Sequence, residues 1–289
     1  MSVTERTIRT SHADIAVSQT AGKGLPVLLI HGNSSCKEVF SKQLNSDLGD
    51  KFRLIAMDLP GHGASSNAVN PEVTYSWPGY AAAAIELLEN IGVFRAAVYG
   101  WSLGGQIGIE MLARYPGMAG LMISGAPPVR PDMESIQQGF KPVPALFLAG
   151  QEVWTEEEFE IFNNTTFGKL QEPDLRNAGR RTHGAARRLL LESLMAGKAL
   201  DQRAVVESSQ VPVAVVNGAN DPFVNLDYVG GLHYANLWDE HCFVLRGIGH
   251  VPFLESPEVF NPIFARFMAE MAKRAAKIDA KASTKTFAA

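Results

Sequence analysis

Ser102 stands in Gly100-Trp101-Ser102-Leu103-Gly104, a G-x-S-x-G pattern. A serine hydroxyl has too high a pKa to act as a nucleophile without a general base beside it. The sequence offers seven histidines. His250 is the best placed, in Gly247-Ile248-Gly249-His250, a flexible loop that follows the apolar run 243–245. An imidazole needs a third group to fix its tautomer, and where an elbow serine is used that acid falls between serine and histidine in chain order. Asp221 answers that description. It lies 29 residues before His250, in the turn-rich stretch Asn217-Gly218-Ala219-Asn220-Asp221-Pro222. The other loop that could supply an acid, Gly125-Ala126-Pro127, carries no carboxylate. Ser102, His250 and Asp221 together would attack an acyl carbon.

Such an attack makes an oxyanion, and preorganised N–H donors stabilise it by about 3 kcal/mol each. With an elbow serine one donor is the residue after the nucleophile, here Leu103, and the other comes from the loop after an earlier strand. That loop reads His31-Gly32-Asn33. Asn33 is expected to give its backbone N–H, with a side chain able to hold a substrate carbonyl or a water. Gly32 and Trp101, their neighbours in sequence, complete the candidate set around the serine. His31 and His62, the latter in Asp58-Leu59-Pro60-Gly61-His62-Gly63-Ala64-Ser65, read as scaffold.

Sharp turns at strand ends must hold these groups. Apolar runs at 26–30, 52–57, 96–99, 121–124, 212–216 and 243–245 read as buried strands. Between them, 37–48, 79–90, 103–115 and 257–273 read as helices. Apolar strands alternating with helices predict an α/β fold with a mostly parallel sheet covered on both faces. Residues 15–18 read as an antiparallel strand at the sheet edge. Ser102 then falls between strand and helix, at a helix N-terminus that favours negative charge. The glycines around it remove side chains that a sharp turn would crowd. The rhythm breaks between residues 127 and 211, where prolines, an acidic run and a basic stretch accompany helical pieces. We read an inserted helical cap at 128–210, core at 1–127 and 211–274, and a flexible tail at 275–289.

The 289 residues are 46% hydrophobic and 19% charged, with a formal net charge of -4. Those values describe a globular chain with no basic field for nucleic acid. No stretch approaches the roughly 18 apolar residues of a membrane span, and the N-terminus has no signal-peptide pattern. The two cysteines, Cys36 and Cys242, have no metal-type spacing and read as reduced thiols. A cytoplasmic location is the expectation, with no cofactor, no metal, and a small molecule as partner; oligomeric state is left open.

The motifs HGN (31–33), DLPGHGAS (58–65), GWSLGG (100–105), Asp221-Pro222 and Gly249-His250 together resemble the α/β-hydrolase superfamily, over residues of about 25 to 270. HGNSS (31–35), IGIEM (107–111), ARYPGM (113–118), GLMISG (120–125), VVNG (215–218) and DPFV (221–224) further resemble the metal-independent N-acyl-homoserine lactonases of the AidH type. That resemblance implies opening of the lactone ring of bacterial quorum-sensing signals, with matching roles for Ser102, His250, Asp221 and Asn33. It also implies a glutamate where Asp221 stands, and a cap tyrosine near the substrate. No tyrosine occurs between Val129 and Asp227, and Phe162 takes that place. The cap aromatics Phe140, Phe147, Trp154, Phe159, Phe162 and Phe167 read first as packing, with some of them able to line an apolar pocket suited to an acyl chain. The alternatives are a general carboxylesterase, a cofactor-free dioxygenase in which His and Asp deprotonate a heteroaromatic substrate, and a receptor with a residual triad.

Overall fold

The computed structural model describes residues 2–170 and 172–286. Its spine is a sheet of eight strands: β1 (Val3–Arg9), β2 (Asp14–Thr20), β3 (Pro26–Ile30), β4 (Arg53–Met57), β5 (Ala96–Trp101), β6 (Met118–Ser124), β7 (Val213–Gly218) and β8 (Phe243–Leu245). They lie in the order β1-β2-β4-β3-β5-β6-β7-β8. From β4 to β8 every pairing is parallel, while β1 and β2 run antiparallel. Every residue of β5, β6 and β7 is buried, which is why these strands read as unbroken apolar runs.

The strand order creates a switch point. From β3 the chain crosses to β4 on one side, and from β5 it crosses to β6 on the other. Loops that leave the C-terminal ends of β3 and β5 therefore open a crevice between them, where open α/β sheets place ligands. Ser102 follows β5, and Gly32 and Asn33 follow β3.

Three expectations need correction. The antiparallel strand at 15–18 is not the edge, because β1 lies outside it. The outermost strand is mostly exposed and carries Glu5, Arg6 and Arg9, charges that protect an open edge and also disguise it as loop. The segment 37–48 is not one helix. It breaks into a 3₁₀ turn (Lys37–Phe40) and short helices at Ser41–Leu44 and Leu48–Lys51. Ser46 is at the break, its hydroxyl donating to the Gln43 carbonyl at 2.9 Å and accepting from the Leu48 N–H at 3.3 Å. Such local bonds compete with the helix. At the other end, the last helix runs Pro257–Thr286, past the end expected for it at 273 and into the tail, as its Ala- and Lys-rich composition favours. Residues 287–289 of that tail lie outside the described residues.

Among the described residues, six helices and no named strand separate β6 from β7: Met133–Gly139, Pro144–Leu148, Glu156–Phe167, Pro173–Arg181, Gly184–Met195 and Gln202–Ser208. The third starts on a capping box, in which Thr155 and Glu158 bond each other's backbone N–H. No described helix is long and apolar enough to cross a membrane.

Candidate active site

Ser102 has φ 55° and ψ −121°, a strained conformation for a side-chain-bearing residue, and it caps the helix Leu103–Leu112. The turn is tight because Gly104 has no side chain: a Cβ there would come within 2.0 Å of the Ile30 carbonyl oxygen. Gly32 does the same service from the other side, since its Cβ would lie 3.0 Å from the Trp101 ring and 3.1 Å from Ser102 Cβ. The loop after β3 is thereby pressed against the serine. Among the described residues, neither the Asn33 nor the Leu103 N–H has a hydrogen-bond acceptor. These two free donors flank Ser102, and Leu103 is additionally the first residue of its helix, where the N–H has no intrahelical partner.

His250 Nδ1 is 2.7 Å from Asp221 Oδ2, and both residues are buried. Asp221 Oδ1 accepts from the N–H groups of Phe223 (2.8 Å) and Val224 (3.2 Å). Burial acts to raise the Asp221 pKa. The facing His250 ring and these backbone donors overcome it, so the carboxyl lies below its usual value. An ionised Asp221 accepts only, so His250 Nδ1 must carry its proton, which leaves Nε2 as the ring's acceptor. The Trp101 indole N–H donates to the His250 carbonyl at 2.8 Å, and the Phe223 ring packs 4.7 Å from the imidazole.

Ser102, His250, Asn33, Trp101 and Phe162 line one cavity of about 50 Å³, with Phe140, Leu146, Ala149, Thr166 and Phe223. The structure thus brings together five of the eight residues singled out in the sequence, with Gly32 and Leu103 adjoining Ser102 and Asp221 behind His250. The Asn33 side chain departs from expectation. Its Nδ2 is taken by the Ala149 carbonyl at 2.8 Å and its Oδ1 by the Ser34 hydroxyl at 3.1 Å, so it fastens the β3 loop to the cap. Of the cap aromatics, Phe140 and Phe162 reach the cavity, Phe147 is exposed, and Trp154 stacks behind Phe162 at 4.7 Å.

Sequence reasoning missed several supporting residues. Lys141 Nζ donates to the Asp221 carbonyl at 2.7 Å. Arg187, buried, donates to the carbonyls of Gln151 (2.7 Å) and Glu152 (2.8 Å) and to Ser34 Oγ (3.3 Å), with its guanidinium 3.9 Å from the Trp154 ring centre. Burial draws its pKa down to about 10, still charged at neutral pH. Gly125, at φ +67°, leaves room for His250: a Cβ there would meet Cε1 at 2.6 Å. Of these, Gly125 alone carried a signal, as a glycine directly after a strand. The scaffold histidines are placed as expected from their motifs. His31 Nδ1 lies 2.7 Å from the Gly32 carbonyl while Nε2 accepts from the Leu59 N–H at 3.0 Å, and burial lowers its pKa. His62 is buried against the Pro60 carbonyl. Among the described residues, no three His, Cys, Asp or Glu side chains converge as a metal-binding group would.

A parallel sheet with a serine at a strained strand–helix turn, and a histidine–carboxylate pair on the loops after the last two strands, defines a known class. The chain belongs to the alpha/beta hydrolase family, whose model matches residues 27–263. Within it, the chain is similar to the N-acyl homoserine lactonase AidH. The crystal structure of AidH complexed with N-butanoyl homoserine is 46% identical over 93% of this chain and 97% of that one, with a TM-score of 0.90. A serine-to-glycine mutant of AidH complexed with N-hexanoyl homoserine lactone is 45% identical over 93% and 99%, with a TM-score of 0.91. A more distant relative is the pimeloyl-[acyl-carrier protein] methyl ester esterase of Nitrosospira multiformis, 26% identical over 86% of this chain and 96% of that protein.

Proposed function

We propose that this protein hydrolyses carboxylic esters and that its substrates are N-acyl homoserine lactones, whose ring it opens. The observation that carries the substrate is the likeness to AidH, which spans nearly the whole of both chains and includes a complex with the lactone. The site supplies the chemistry. Ser102 Oγ attacks the lactone carbonyl while His250 Nε2 takes its proton. The oxyanion is held by the N–H groups of Asn33 and Leu103. The ring C–O bond breaks, and the departing oxygen takes the proton back from His250 as a hydroxyl. Water, deprotonated by His250, then attacks the Ser102 ester, His250 returns that proton to the departing Ser102 Oγ, and the carboxylate is released. Asp221 keeps the imidazole oriented and stabilises its cationic form. Opening the ring would silence a signal read by lactone receptors, a quorum-quenching activity.

The test is a panel of N-butanoyl and N-hexanoyl homoserine lactones and an aryl ester, followed by mass spectrometry. The expected product is one water heavier than the lactone, and acidification restores the ring because the new hydroxyl can close on the carboxyl. Free homoserine lactone plus a fatty acid would mean amide cleavage. Turnover of the aryl ester with no reaction on any lactone would leave only an esterase.

A further inference from the structure

The cavity around Ser102 contains one polar side chain that neither the proposed reaction nor another protein group engages. Thr166 forms part of its wall, one helical turn beyond Phe162 on the helix Glu156–Phe167. The residue is buried, and among the described residues its hydroxyl has no hydrogen-bond partner. A buried threonine in a helix ordinarily returns its hydroxyl to the carbonyl four residues back. The adjacent Thr165 does this, donating to the Ile161 carbonyl at 2.7 Å, while Thr166 does not. Burying a hydroxyl without a partner costs free energy, so an unpaired one at a binding site calls for a ligand group.

The other polar groups of the wall are already committed. Asn33 is bonded to Ala149 and Ser34, the Trp101 N–H to the His250 carbonyl, and His250 Nδ1 to Asp221. Phe140, Leu146, Ala149, Phe162 and Phe223 present apolar side chains. We infer that Thr166 is a specificity-determining residue, its hydroxyl pairing with the amide that the substrate carries on the carbon beside the scissile carbonyl. This rests on the lactonase reading and names the residue that would tell an acylamino lactone from a plain one. A secondary amide offers both a donor and an acceptor, and a hydroxyl turning about its Cβ–Oγ bond can serve either. An amide-free lactone would leave the hydroxyl unpaired, which is the condition under which hydrogen-bonding sites discriminate.

The experiment compares kcat/KM for N-hexanoyl homoserine lactone with that for γ-caprolactone, which lacks the amide. It uses the full chain as wild type, Thr166→Val and Thr166→Ser. The ratio of the two values is expected to fall roughly tenfold in Thr166→Val, which keeps the shape and removes the hydroxyl, and to recover in Thr166→Ser. An unchanged ratio, or equal losses on both lactones, would overturn the inference while lactone opening by the wild type stands. A wild type inactive on N-hexanoyl homoserine lactone would instead sink the lactonase reading, and this inference with it.

Discussion

At the scale of single residues, the proposed reaction asks Ser102 to lose a proton to His250, which lines the same cavity. Ser102→Ala should fold normally and lose on the order of 10⁴-fold or more in turnover. Retention of a tenth of the wild-type rate would remove Ser102 from the role. Asp221→Asn should cost a few orders of magnitude in kcat with KM little changed, because an amide facing Nδ1 favours the wrong tautomer. The same substitution has a stability signature. The folded pKa of Asp221 lies below its ordinary carboxylate value. Its pairing therefore contributes stability fully above that value, and the contribution is lost as pH falls through the folded pKa. The stability gap between wild type and Asp221→Asn in urea titrations should thus be widest near neutrality and close below about pH 4. A gap independent of pH would show that Asp221 is not held as a carboxylate. Ser102, His250 and Asp221 were legible in the sequence because each combines a chemically demanding residue type with a turn at a strand end. Thr166 and Arg187 were not. What singles out Thr166 is the absence of a partner, and what singles out Arg187 is its burial, and both are set by segments distant in the chain.

At the scale of elements, the serine is presented by a turn whose closeness to β3 is the controlling quantity. The Ile30 carbonyl lies where a Gly104 Cβ would be, 2.0 Å away, and it belongs to a central strand paired on both sides. Ile30 cannot retreat without breaking ladder hydrogen bonds, and Gly104 is held in the first turn of its helix. Gly104→Ala should therefore destabilise the fold by about 3 kcal/mol or more, or prevent folding, as measured by urea denaturation. A loss under about 1 kcal/mol would mean that the turn is looser than it stands here. The central strands could be read from sequence because burial on both faces makes them continuously apolar. The edge strand β1 could not, since exposure lets Val3-Thr4-Glu5-Arg6 look like loop. Inside the cap, the presence of helices was evident, but which of their faces meets the cavity was not. Phe140 and Phe162 turn inward while Phe147 turns out, a choice made by packing rather than composition.

For the whole molecule, the cap and the sheet meet over a cavity smaller than any acyl homoserine lactone, since ligand pockets are usually about 300 Å³ or more and this one is about 50 Å³. An acyl homoserine lactone would enter it only with a movement of part of the cap. Among the ties that join it to the core near the cavity are Asn33 to Ala149, Lys141 to Asp221, and Arg187 to Ser34. Arg187 is the most connected of them, because it also holds the Gln151 and Glu152 carbonyls and stacks on Trp154, which in turn backs Phe162. Its guanidinium is buried, and two carbonyls depend on it. Arg187→Met keeps the apolar stem of the side chain but leaves those carbonyls without their donors, at about 1–3 kcal/mol each. They belong to the segment joining Pro144–Leu148 to Glu156–Phe167, so the loss should fall on the cap and not on the sheet. Hydrogen exchange should accelerate at 149–155 and along the helix Gly184–Met195, with β5 and β6 as protected as in the wild type. KM for the lactone should change more than kcat, because Ser102, His250 and Asp221 are held by ties that do not involve Arg187. Exchange at 149–155 as slow as in the wild type would show that Arg187 does not hold the cap closed, and equal acceleration in β5 would show that cap and sheet open as one unit.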